Sequence, residues 1–186
     1  MEAYAKHAGI WIEPIVIEQW NFIKSGQENR VYFNDENVLK IGYNYLKFYE
    51  TPIDFFDNKI SLHNYLFPDT PLELVGFTGI YNTVAQNEAA FASVFKQKYV
   101  KGHVLSYLEV DAFQNELIHA GFTNWAAPAL YTGKDYIIKD MHVDNIMLTG
   151  QGNYRFIDTV PFLNTPALGY GGTRAYGDGK VCKVPV

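Results

Sequence analysis

The stretch Tyr136 to Val160, YIIKDMHVDNIMLTGQGNYRFIDTV, constrains this chain more than any other. Apolar runs bounded by turn residues read as a strand, a loop and a hairpin. Asp140 and Asn145 stand five residues apart and bracket Met141-His142-Val143-Asp144. Asp158 follows thirteen residues after Asn145, at the end of the apolar strand Tyr154-Arg155-Phe156-Ile157. Two acids and an amide so spaced can handle a metal ion and a proton together. Phosphoryl transfer needs such a set: one carboxylate orients the attacking hydroxyl, and an amide and a second carboxylate hold Mg²⁺ against the nucleotide phosphates.

Upstream, Val16-Ile17 and Phe22-Ile23 open an apolar, aromatic-rich segment that Gly26 interrupts. Val31-Tyr32-Phe33 and Val38-Leu39-Lys40-Ile41 flank the polar turn Asn34-Asp35-Glu36-Asn37, which predicts antiparallel strands. Thr51-Pro52-Ile53-Asp54 supplies an N-cap, a first-turn proline and an acid three residues after the cap, so a helix is expected from about Pro52 to Leu66, ending before Pro68. Leu72 to Phe77 and Ala92 to Phe95 read as strands joined by a polar connection from Gly79 to Asn87. Glu109 to Ala120 is an amphipathic helix stopped by Gly121, Tyr131 to Asp158 is a short β region, and Gly169 to Gly179 is glycine-rich and expected to be irregular.

Ser25-Gly26-Gln27-Glu28-Asn29 suits two roles. A glycine between strands lets backbone N–H groups approach phosphate oxygens, with Ser25 or Asn29 adding a donor; the same residues also make an ordinary turn. Lys40 alternates with Leu39 and Ile41, so its ammonium leaves the sheet on the face opposite theirs. It is either a solvated edge lysine or a phosphate contact. His7, His63, His103 and His119 lack ligand spacing; His63-Asn64 before an aromatic pair suggests a helix-end network.

The Lys139-Asp140-Met141-His142-Val143-Asp144-Asn145 segment resembles the H-G-D-x-H-x-x-N loop of aminoglycoside and choline phosphotransferases, within the protein-kinase-like superfamily. SGQENRVYF, SLHNYLFPDTPLELVGF, VFKQKYVKG and the DN…FID pair further resemble the kinase domain of phage and plasmid polyvalent proteins. That resemblance implies an α+β, two-lobed protein-kinase-like fold: an antiparallel-sheet N-lobe over residues 1–97 and a truncated C-lobe over 98–186, with a hinge at Gln97 to Gly102. It implies ATP and Mg²⁺ as cofactors. Asp140 takes the catalytic-base position and Lys139 helps to neutralise the transferred phosphoryl group. Asn145 and Asp158 hold the metal. Ser25, Gly26, Asn29 and Lys40 position the triphosphate, and the hinge around Gln97 offers backbone groups to the adenine edge. His142 braces the loop. The helix should also carry a carboxylate for Lys40, yet no glutamate lies between Thr51 and Leu72; Asp54 is accounted for by the helix start, which leaves Asp57.

Composition limits the alternatives. The chain has 186 residues, too few for a full-sized protein kinase, and its single cysteine, Cys182, allows neither an internal disulfide nor a thiolate zinc cluster. A net charge of −5 with scattered Lys and Arg gives no basic stripe for nucleic acid. No apolar run approaches a membrane span and no signal-peptide pattern is present, so a cytoplasmic protein is expected. The acceptor, a protein or a small molecule, is not legible. A nucleotide-binding pseudokinase-like module, a nucleotidyl (AMP) transferase and a phage accessory protein with a vestigial cleft all fit the same residues.

Overall fold

The computed structural model describes residues 1–25, 29–42, 51, 53, 55–81, 89–124 and 130–164. It is an α+β chain whose strands pair antiparallel in three sheets. The described residues fall into two compact units, one drawn from Met1–Lys47 and Pro71–Tyr99, the other from Phe48–Thr70 and Val100–Val186.

The first unit is a five-stranded sheet with strands β1 (Asn21–Ser25), β2 (Asn29–Phe33), β3 (Asn37–Gly42), β4 (Glu73–Tyr81) and β5 (Ala89–Lys98), in the order β1-β2-β3-β5-β4. The expected turn between β2 and β3 forms because the Asn34 carboxamide accepts the N–H groups of Glu36 (3.2 Å) and Asn37 (2.8 Å). Ile17, Leu39, Ile41, Ala92 and Val94 make the core of this unit, with Ile12, Trp20, Tyr32 and Val75 packed against it. Each of the Ile, Leu and Val side chains taken from water contributes about 1.5–3 kcal/mol. Two short helices, α1 (Glu2–His7) and α2 (Pro14–Ile17), precede the sheet, so Val16 and Ile17 are helical and do not begin a strand. The β4 and β5 strands run further than their apolar cores suggest. Gly79, Ile80 and Tyr81, expected in a connection, continue β4, and Gly79 is covered by the Trp11 ring.

In the second unit a helical segment runs from Phe55 to Leu66. Its first part, Phe55–Ser61, is a π-helix and its second, α3 (Leu62–Leu66), is α-helical, so the expected regular helix is widened by one backbone register. It ends before Pro68 as expected, while Pro52 and Asp54 lie outside the described residues. Helix α4 (Tyr107–His119) starts two residues earlier than the apolar pattern suggests. Ser106 and Glu109 form a capping box there, and Gly121 with φ +87° follows the helix end. Two small sheets complete the unit. One holds β6 (Gly102–Val104), β10 (Ile146–Thr149) and β11 (Tyr154–Phe156); the other holds β7 (Thr123–Asn124), β8 (Tyr131–Thr132), β9 (Tyr136–Lys139) and β12 (Val160–Leu163). Their shared core is Leu105, Phe113, Tyr131, Ile138, Met141 and Ile146. The glycine-rich segment 169–179 lies outside the described residues.

Candidate functional site

Strand β9 ends at Lys139, and the chain turns at Asp140 with φ +59°, the one left-handed non-glycine backbone among the described residues. Aspartate tolerates that conformation better than most residues. Met141 and Ile146, on either side of the loop, are both buried in the core, and that anchorage fixes the polar residues between them. A single 3₁₀ turn over Val143–Asn145 closes the loop, with the Asn145 N–H donating to the His142 carbonyl at 2.9 Å. The Asn145 side-chain nitrogen donates to the Asp140 carbonyl at 2.9 Å. A carbonyl only accepts, so the amide oxygen of Asn145 is turned the other way. Strand β11 stops at Phe156, short of the expected end, and Asp158 lies in the bend that follows; the Asn145 carbonyl accepts the Ile157 N–H at 2.9 Å, which brings that bend to the loop carrying Asp140.

The two carboxylates feel one another. Burial first, and then the negative charge of Asp158, push the Asp140 carboxyl above the usual aspartate range; His142, Lys59 and a hydrogen bond from Asn145 pull it back. His142 Nε2 lies 3.4 Å from Asp140 Oδ1, with both side chains largely exposed. Asp144 is exposed on the turn. Lys139, immediately before Asp140, directs its ammonium over the Phe162 ring at 5.4 Å, and burial lowers its pKa to about 8.

The helical segment contributes two buried polar groups. Lys59 is 7% exposed and its Nζ lies 3.9 Å from Asp158 Oδ1. His63, one turn on, is fully buried at 0%. Its Nε2 donates to the Thr70 carbonyl at 3.0 Å, so Nδ1 is left to accept the Thr159 hydroxyl at 3.4 Å. Thr70 Oγ1 donates to the Phe156 carbonyl at 2.6 Å. Residues on both sides of Asp158 are therefore tied to the chain around this helix. Asp57, expected as the helix carboxylate, is exposed on the first turn of the π-helix.

In the first unit, cross-strand register places Asn29, Lys40 and Gln97 on one face of the sheet. Lys40 sits opposite Val31 on one side and Phe95 on the other, Asn29 opposite Gly42, and Gln97 opposite Val38. Directly opposed residues in an antiparallel pair share a face, and positions two apart continue it. Lys40 is on the central strand and 7% exposed, so the solvated-edge alternative is wrong. Gln97 is buried within β5. A Cβ on Gly42 would come within 2.7 Å of Asn29 Oδ1, so this glycine leaves the space in which the Asn29 carboxamide lies. Ser25 ends β1 opposite Arg30, and Gly26 lies outside the described residues.

A family model described as the serine/threonine/tyrosine kinase found in polyvalent proteins matches residues 1–165. The chain belongs to that family. No curated protein and no solved structure matches it.

In this chain, sequence reasoning found the acids and the amide but missed Lys59 and the clamping role of His63. A signal for both existed. Phe55, Lys59 and His63 recur at four-residue spacing on the stripe that also carries Ile60 and Leu62, all of them buried. A buried cation on the apolar stripe of a helix demands an anion beside it, and the partly buried Asp158 supplies one.

Proposed function

We propose that the chain is an ATP-dependent phosphotransferase that moves the γ-phosphate to a hydroxyl acceptor with Mg²⁺, on a two-lobed kinase framework with a shortened C-lobe. The observation that carries this reading is the gathering of Asp140, Asn145 and Asp158 through the Asn145 hydrogen bonds and the mutual electrostatics of the two acids. Kinase family membership over residues 1–165 supports it.

The donor set suits Mg²⁺. The Asn145 amide oxygen and the Asp158 carboxylate are hard oxygen ligands, and among the described residues there is no cluster of three or more His, Cys, Asp or Glu that would form a closed cage. Mg²⁺ is characteristically held by one or two such protein oxygens together with substrate phosphates and water. When bound, it neutralises charge on the phosphates. Asp140 accepts the acceptor's proton as the acceptor oxygen bonds to the γ-phosphorus; the bond from that phosphorus to the β–γ bridging oxygen breaks, and ADP leaves with the electron pair. Within the first unit, Lys40 and Asn29 share a sheet face whose cation and carboxamide suit phosphate oxygens. Placement and electrostatics supply most of the acceleration.

Nucleotide binding without transfer is favoured by one observation, the lysine already paired with the metal carboxylate. Incubation with γ-labelled and α-labelled ATP plus Mg²⁺ separates the readings. Label from the γ position alone, lost in Asp140→Asn, establishes phosphoryl transfer. Label from the α position means AMP transfer, and Mg²⁺-dependent ATP binding with no label means a binding module.

A further inference from the structure

Lys59 stands where a divalent cation would have to act. Its ammonium is buried, so an anionic partner is required, and Asp158 Oδ1 at 3.9 Å is that partner. The separation exceeds the 2.7–2.9 Å of a charge-assisted hydrogen bond, so this contact is an ion pair without a direct hydrogen bond. The lysine is also held in place. His63 and Thr70 tie the helical segment to Thr159 and Phe156, on either side of Asp158. The π-helical turn that carries Lys59 is itself a backbone irregularity found frequently at functional sites.

We propose that Lys59 is the resident counter-cation of Asp158 and competes with the divalent ion for it, so that metal binds weakly to the nucleotide-free chain and well only when nucleotide phosphates give the ammonium another anion. This rests on the phosphotransferase reading of the same site. With Asp140 and Asp158 both ionised, one lysine leaves a net charge of −1, whereas a divalent ion added beside the lysine leaves +1. Phosphate oxygens restore the balance. Metal and nucleotide therefore bind with positive coupling, and Lys59 is a positioning residue that sets their order.

Mn²⁺ binding to the full chain, followed by electron paramagnetic resonance without nucleotide, tests this. Lys59→Met keeps the apolar stem and removes the charge, and it should bind Mn²⁺ at least about tenfold more tightly than the wild type. Lys59→Arg, with a planar fork that can close the gap to the carboxylate, should bind it several-fold more weakly. Because the two substitutions act in opposite directions, a folding defect in the first leaves the second decisive. Equal or weaker Mn²⁺ binding by Lys59→Met, or undiminished binding by Lys59→Arg, overturns the role of Lys59. Asp158→Asn distinguishes the levels. Loss of Mn²⁺ in that variant keeps the metal site even where Lys59 proves inert, and unchanged Mn²⁺ binding overturns both.

Discussion

The Asn145 side chain donates to the main-chain carbonyl of Asp140 at 2.9 Å, so the amide that would face the metal also holds the turn of the candidate base. Asn145→Ala removes both functions. A loss of about 1 kcal/mol is expected from the missing bond, seen as a fall of about 2–4 °C in Tm. The Mg²⁺ concentration needed for half-maximal ATP binding should rise at least about tenfold. Differential scanning fluorimetry with a Mg²⁺ series at fixed ATP measures both.

Asp140→Asn should separate stability from chemistry. The Asp140 carboxyl titrates above its unfolded value because of burial and then Asp158, so its ionised form opposes folding. Stability is fully present below the unfolded pKa and declines as pH rises through the folded one. The asparagine variant, which also tolerates φ +59°, is expected to match the wild type in acid and to melt no lower than it at pH 7.5, solvent around the half-exposed carboxyl keeping the difference small. Phosphoryl transfer should fall by about 10²–10⁴-fold. Thermal melts across pH and single-turnover transfer from γ-labelled ATP check the two halves.

Lys139 gives the opposite slope at high pH. Burial lowers its pKa to about 8 from 10.5, so below pH 8 the folded chain carries a charge it holds at a cost, and above 10.5 both states are neutral. The unfolded chain binds more protons between those limits, and stability rises with pH across them. Urea midpoints should show Lys139→Met stabilised relative to the wild type at pH 7, with the difference shrinking from pH 8 to 10.5. A constant difference would place the lysine in solvent.

His63→Ala removes a fully buried ring and leaves the Thr70 carbonyl and the Thr159 hydroxyl without it. About 3 kcal/mol of stability should be lost, or roughly 6–12 °C in Tm. Because Thr159 adjoins Asp158, Mg²⁺-dependent ATP binding should weaken even in the cold, where the variant is folded. Isothermal titration at 10 °C reads this directly.

The site was legible where its parts are close in sequence. Asp140, Asn145 and Asp158 are spaced by short apolar runs whose burial, at Met141 and Ile146, turns spacing into geometry. Lys40 was legible to the extent of its face, since strand alternation decides that; its burial was not, because only pairing with Val31 and Phe95 makes β3 a central strand. Lys59 and His63 escaped for a different reason. Their four-residue spacing marks a buried stripe, but their partners, Asp158 and Thr159, lie almost a hundred residues on, so the spacing alone does not say what they meet. A search for a helix acid pointed to Asp57, which is exposed, while the charge that the helix buries is positive.

Calorimetric titration of ATP into the wild type and into Asp158→Asn, each with Mg²⁺ and with EDTA, goes to the centre of the matter. ATP should bind the wild type well only with Mg²⁺, and Asp158→Asn should lose that enhancement while keeping the weak metal-free binding. Equal affinity with and without Mg²⁺, or an enhancement that survives in Asp158→Asn, would contradict a metal–nucleotide site built on Asp140, Asn145 and Asp158.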